Sequence, residues 1–221
     1  MDGGVIALLL LLAAPGAAEP AGNWRRVATE HDRERLRRWR DAWVEALASA
    51  RVGEGASAIA ADPALFDPDR TLAGAAPPAG RYRCRTYKLG ARGGGGPAFV
   101  AYPFFDCRID TDGRFTKLDG SQRPVGRIHS DTRSRAIFLG TLMLGDERRA
   151  LGYGRDRMRD MAARVERIGP TRWRMAFPYP AYESLLDLIE LTPVNVGTTG
   201  GGATAGVGST GGTGSGGSDA R

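Results

Sequence analysis

The chain has 221 residues, 42% hydrophobic and 25% charged, with a formal net charge of +6. Once the two ends treated below are set aside, that length fits one domain with a real core, and the composition excludes both wholesale disorder and a membrane bundle. The positive balance does not point to nucleic acid: only Lys88 and Lys117 are lysine, the arginine bias fits a GC-rich genome, and no basic run is interleaved with stacking aromatics.

Residues 5–14 form an apolar stretch of signal-peptide length, and Gly16, Ala17 and Ala18 supply small side chains for cleavage. The reading is a signal peptide over 1–18, a single globular domain over 19–196 and a periplasmic or secreted location. Against the usual pattern, Met1 to Gly4 carries no positive charge. The apolar run is shorter than the ~20 residues of a spanning helix, so no transmembrane protein is expected.

Over 29–51 Leu36, Trp39, Trp43, Ala46, Leu47 and Ala50 recur at three- and four-residue steps, which predicts an amphipathic helix. Thr29 stands where its hydroxyl caps the N–H near Asp32, and Glu34 with Arg38 makes a favourable surface pair. A second short helix follows over 56–61, then an irregular crossing segment over 67–78 that begins at Asp67-Pro68 and ends at Pro77-Pro78.

From residue 81 the period changes to two, and strands are expected over 82–89, 99–109, 114–118, 125–129, 135–144, 164–168, 172–177 and 185–191. Asp112-Gly113 reads as a type I′ hairpin turn, and 168–171 as another reversal. The fold class is therefore α+β, mostly β: an N-terminal amphipathic helix packed on an antiparallel meander of about eight strands, closed as a small up-and-down barrel or left as an open sheet. Residues 145–160 are the longest interruption. The Gly-, Thr- and Ser-rich stretch 197–221 has too few apolar side chains to order itself and reads as a disordered tail.

Cys84 and Cys107 are the two cysteines, and in an oxidising compartment such a pair forms a bridge. A hairpin turning between Gly95 and Gly96 sets them directly opposite, with Cα atoms about 4.5 Å apart. The closed loop is worth roughly 3 kcal/mol.

Catalytic signals are weak. With His31 and His129 the only histidines, neither a metal nor a cofactor site is expected. His129, Ser130 and Asp131 are too close in sequence to converge as a relay. Asp110-Thr111-Asp112-Gly113 lacks the further ligands of a calcium loop and reads as a turn. Glu183 and Asp187 could form a carboxylate pair, but nothing in the sequence fixes their separation.

The runs Asn23-Trp24-Arg25, Leu36-Arg37-Arg38-Trp39, Tyr82-Arg83-Cys84-Arg85, Phe99-Val100-Ala101-Tyr102-Pro103, Gly120-Ser121-Gln122-Arg123-Pro124 and Phe138-Leu139-Gly140-Thr141 resemble a known family. It is catalogued as domain of unknown function 4893, exported proteins of high-GC Gram-negative bacteria, and the resemblance covers about residues 23–193. It implies an envelope or periplasmic setting and supplies no activity, ligand or catalytic residue.

Three functional readings follow. The first is a non-catalytic binding or structural domain whose partner is a small apolar ligand, an envelope polymer or another protein. The second is a hydrolase with a site assembled from distant residues such as His129, Asp106, Ser121 and Glu183. The third is an envelope assembly factor that lays its Arg-rich helix on anionic lipid or polymer.

Overall fold

The structure is a computed structural model that describes residues 24–194 apart from Glu54. The expected signal peptide and glycine-rich tail lie outside the described residues. Among the described residues, five helices come first: α1 (Trp24–Val27), α2 (Glu30–Arg37), α3 (Trp39–Ala50), α4 (Gly55–Ala61) and α5 (Pro63–Phe66). Nine strands follow: β1 (Gly80–Ala91), β2 (Phe99–Ala101), β3 (Phe105–Ile109), β4 (Arg114–Lys117), β5 (Gln122–Ser130), β6 (Ala136–Leu144), β7 (Asp160–Gly169), β8 (Arg172–Pro178) and β9 (Ser184–Pro193).

Every pairing is antiparallel, and β9 returns to β1 from Tyr82↔Pro193 to Ala91↔Ser184. The sheet is therefore a closed eight-stranded barrel, with β2 as a short spur on β1. The strand expected over 99–109 is broken in two at Tyr102-Pro103-Phe104. Pro103 has no N–H to give to a ladder, so pairing with β1 stops before it and resumes at Phe105.

The helix expected over 29–51 is likewise two helices, parting at Arg38 (φ −87°, ψ 17°). Arg35 of α2 donates to the Asp160 carbonyl of β7 at 2.9 Å, while α3 lies across β1, β8 and β9. A straight helix would leave the curved barrel wall at one end. The Thr29 cap forms as expected, its hydroxyl accepting from the Asp32 N–H at 3.2 Å. The expected Glu34 and Arg38 pair is replaced by Glu34 with Arg37 and by Arg38 with Asp41.

The first hairpin bridge is present with a different register. Cys84 lies opposite Phe105 and Cys107 opposite Tyr82, so the disulfide runs diagonally, with its Cα atoms 6.2 Å apart. Both sulfurs still face inward, because the observed register differs from the expected one by two residues and keeps each side chain on its face. The loop and the strand break together supply the reason: the Gly90 N–H reaches the Ala98 carbonyl at 2.8 Å, which centres the turn on Gly94 and sets the register of β2, and the break at 102–104 shifts the register by one residue before β3.

The turn at 110–113 is not type I′. Asp112 keeps negative φ and only Gly113 is left-handed (φ 79°), with the Gly113 N–H on the Asp110 carbonyl at 2.9 Å. This is a three-residue hairpin loop in which glycine alone must adopt positive φ.

Inside the barrel Phe115, Phe138 and Phe177 stack edge to face at 5.8 Å. Gly126 faces Gly140 across β5 and β6, and a Cβ on Gly140 would come within 2.5 Å of the Phe138 ring, so the paired glycines make room for it. One barrel end is plugged. Trp173 donates to the Gly74 carbonyl at 3.0 Å, Tyr82 donates to that of Pro78 at 2.5 Å, and Ala75 sits beneath them.

The outer wall of β1, β8 and β9 is buried too. Trp43, Ala46, Leu47 and Ala50 of α3 pack there with Leu65 and Phe66 of α5 on Leu89, Ala176, Leu186 and Leu188. Arg174 is fully buried in this layer, donating to Glu166 at 2.8 Å and to the carbonyls of Leu65, Asp67 and Arg70.

Candidate functional site

The barrel end opposite the plug is open. Its cavity measures about 570 Å³, within the usual range for small-molecule sites. Inward positions build the floor: Phe105 from β3, Met161 from β7, Phe177 from β8 and Ile189 from β9. Leu142 and Pro124 form one wall. The Pro103 break turns the chain outward at the lip, where Tyr102 and Phe104 are exposed together with Met158 and Tyr182. Arg83 and Arg85 lie over the Phe104 ring at 4.6 and 5.1 Å and fix its place on the rim.

Lysines enter this cup from two strands, and an acidic residue from a third. On β1 every second residue points inward, which carries Lys88 from the same face as Cys84 into the mouth. Its ammonium meets Glu183 at 2.7 Å and Asp187 at 3.9 Å. Burial disfavours that ammonium, yet the attraction of Asp187 and Glu183 outweighs it and holds the pKa above the ordinary lysine value. Asp187 is buried and accepts from the Ser184 hydroxyl at 2.5 Å; burial pushes its carboxyl up to about 6 against the pull of Lys88. The two carboxylates singled out in the sequence are thus joined by a shared cation. Glu183 sits at positive φ (65°), a strained position for a side-chain-bearing residue, in the bend that starts β9.

On β4 the inward residues are Phe115 and Lys117, and the Lys117 ammonium rests over the Phe105 ring at 4.2 Å. Burial lowers its pKa, opposed only by the exposed Asp119.

Behind the rim, Asp160 accepts from the Gly154 N–H at 2.9 Å, and burial raises its pKa. Tyr153 donates to Asp32 at 2.5 Å and receives the Thr29 N–H, tying the 145–159 loop to α2. These contacts hold the loop that carries Met158 to the lip.

The four residues considered for a hydrolase do not come together. Ser121 and Glu183 line the mouth, but Asp106 alternates outward between Phe105 and Cys107 and pairs with Arg81 at 3.2 Å on the surface. His129 follows the inward Ile128 and points out of the barrel, half-buried, its pKa lowered by burial and by Arg127. Ser121 makes no hydrogen bond to an acid or base among the described residues. Asp131 is a tether for α1, accepting from Trp24 at 2.9 Å and from Arg25 at 3.0 Å. His31 lies 3.4 Å from Arg157. Among the described residues no cluster of three or more His, Cys, Asp or Glu is placed to hold a metal ion.

The family model for a domain of unknown function, DUF4893, matches residues 24–191, the barrel together with every helix described above. The chain belongs to the DUF4893 family. No curated protein and no solved structure matches this DUF4893 chain. The matched span contains both mouth lysines, the disulfide and the plug, so the cup is part of the DUF4893 domain itself. Sequence reasoning passed over Lys88 and Lys117 as site residues. Their signal was rarity: this DUF4893 chain has two lysines, and both line one cavity.

Proposed function

We propose that this DUF4893 protein is a non-catalytic binding protein of the cell envelope that takes a small, largely apolar molecule into the open barrel mouth. One observation carries the reading: a cavity of about 570 Å³ floored by Phe105, Met161, Phe177 and Ile189 opens from a barrel that is otherwise packed and plugged. The Cys84 to Cys107 bridge supports an oxidising compartment. The apolar stretch at 5–14 supports export to it.

Two observations weigh against the other readings. A hydrolase needs a nucleophile beside a base, and among the described residues Ser121 has no hydrogen-bonded base. An assembly factor working through α2 and α3 would need free arginines on those helices. Arg33 donates to the carbonyls of Arg25 and Ala28, Arg35 and Arg37 pair with Asp32 and Glu34, Arg38 lies on the Tyr179 ring, and Arg40 holds Asp69.

The test is titration with the uncharged fluorophore N-phenyl-1-naphthylamine. Saturable binding of one dye per chain is expected, and Leu142→Trp, which places an indole in the cup, should abolish it. A folded protein that shows no saturable binding refutes the reading.

A further inference from the structure

We propose that Lys117 anchors an anionic head group, so that the molecule held in the mouth is an amphiphile with a carboxylate or phosphate monoester at one end and an apolar chain at the other. The inference rests on the reading of the mouth as a binding cavity and adds the class of ligand to it.

The choice of residue is the first argument. Of 31 basic residues only two are lysine, and both stand on inward positions of the same cavity. Apart from the two pairs of Lys88, the described ion pairs all use arginine, as with Arg172 on Asp62 and Glu190; the two arginines that line the cavity, Arg35 and Arg159, are themselves held in such pairs by Asp32 and Glu147. Arginine suits fixed internal pairs because its planar fork binds two acceptors at once, whereas lysine is a compact point charge on a flexible stem. A cup that must leave room for a ligand favours the second kind.

The second argument is the difference between the two lysines. Lys88 is already neutralised by Glu183 and Asp187. Lys117 has neither ion pair nor hydrogen bond among the described residues, although its amine is half-buried against Phe105. Its stem lies on apolar surface and its head faces the cavity, the posture of a long cationic side chain at an apolar boundary. The turn beside it presents bare backbone: a Cβ on Gly120 would lie 3.4 Å from the amine. The exposed Asp119 attracts this ammonium but makes no ion pair with it, so the half-buried charge is only partly compensated, and an anionic oxygen entering over Gly120 completes it.

Geometry then orders the ligand. With its head at Lys117 on β4, an apolar chain runs over Phe105 toward Phe177 and Ile189 on the far wall. Asp187 and Glu183, held by Lys88, stand on β9 and just before it, where they repel a second anionic group. The site therefore takes one anionic end and rejects molecules charged at both.

The experiment measures displacement of N-phenyl-1-naphthylamine at pH 7.5 by decanoate, decyl phosphate and 1-decanol. In the wild type at least one of the two anions should displace the dye at concentrations about tenfold lower than 1-decanol, the effect of one charge-assisted hydrogen bond. Whichever anion is stronger names the head group. Lys117→Met should remove the preference while 1-decanol still displaces the dye, which also shows that the variant's cup is folded; Lys117→Gln should behave alike. Equal displacement by all three ligands in the wild type overturns the assignment and leaves the cavity reading standing. A preference that survives both substitutions overturns the role of Lys117. Failure of the wild type to bind the dye at all overturns the cavity reading, and this inference with it.

Discussion

Replacing Arg174 by methionine tests whether the helical layer is latched to the barrel by one buried cation. Arg174 is fully buried, lies 4.5 Å over the Trp43 ring and donates to the carbonyls of Leu65 (2.9 Å), Asp67 (2.6 Å) and Arg70 (3.1 Å) as well as to Glu166. Methionine keeps the apolar stem but removes every donor. Three carbonyls at about 1 kcal/mol each give roughly 3 kcal/mol. Glu166 keeps Arg164 at 2.7 Å, so its loss is partial and the total should fall at about 3–5 kcal/mol. Urea unfolding followed by tryptophan fluorescence measures it, and hydrogen exchange should show residues 63–70 opening below the global transition. Arg174→Lys, which keeps charge with fewer donors, should lie between. With Glu166→Gln in a double-mutant cycle, the two effects should fall short of additivity by about 1–3 kcal/mol. A loss below about 1 kcal/mol for Arg174→Met would refute the latch.

Two further outcomes follow from the mouth and the first hairpin. The Asp187 carboxyl, pushed from 3.8 to about 6 in the folded chain, keeps a proton between those pH values that the unfolded chain has released. Its stabilising contribution is therefore full below about pH 4 and lost as pH rises through 6, a swing of roughly 3 kcal/mol at most. Asp187→Asn should thus raise the melting temperature at pH 7.5 and change it little at pH 4; an equal change at both would contradict the assignment. Replacing Cys84 and Cys107 together by serine should lower stability by about 2–5 kcal/mol, and thiol labelling of the denatured, unreduced protein should find no free thiols if the bridge forms.

How much of this was legible in the sequence depended on which physical signal each element carried. The Thr29 cap, the apolar stripe from Leu36 to Ala50 and the alternation after residue 80 are local patterns, and they located α2, α3 and most strands, whereas the four-residue helices α1 and α5 are too short to carry such a pattern and were not expected. The break at Pro103 had a local signal too, a proline within a strand, but the length of the alternating run concealed it. The first hairpin's register did not follow from its run of glycines, because glycines allow several turn centres and the Gly90 to Ala98 bond selects one. Arg174 alternates outward between the inward Trp173 and Met175, a position that pattern alone would leave exposed. It is buried because β8 is covered on both faces, a tertiary fact that no alternation in Arg172–Pro178 records. The mouth was the least legible, since Lys88, Lys117 and Asp187 come from three strands and meet only when the barrel closes.

That closure orders events in time. The seam joining β1 to β9 pairs residues about a hundred positions apart, from Ala91↔Ser184 to Tyr82↔Pro193. Until the last strand has been made, the first has nothing to seal against on that side, and both borders of the growing sheet stay open to other chains. Contacts of such long range form slowly. The early hairpin, cross-linked at Cys84 and Cys107, offers the nascent chain a short-range foothold during that wait, so an oxidant that acts on the hairpin before the seam forms should speed the whole molecule's maturation rather than merely toughen the finished product.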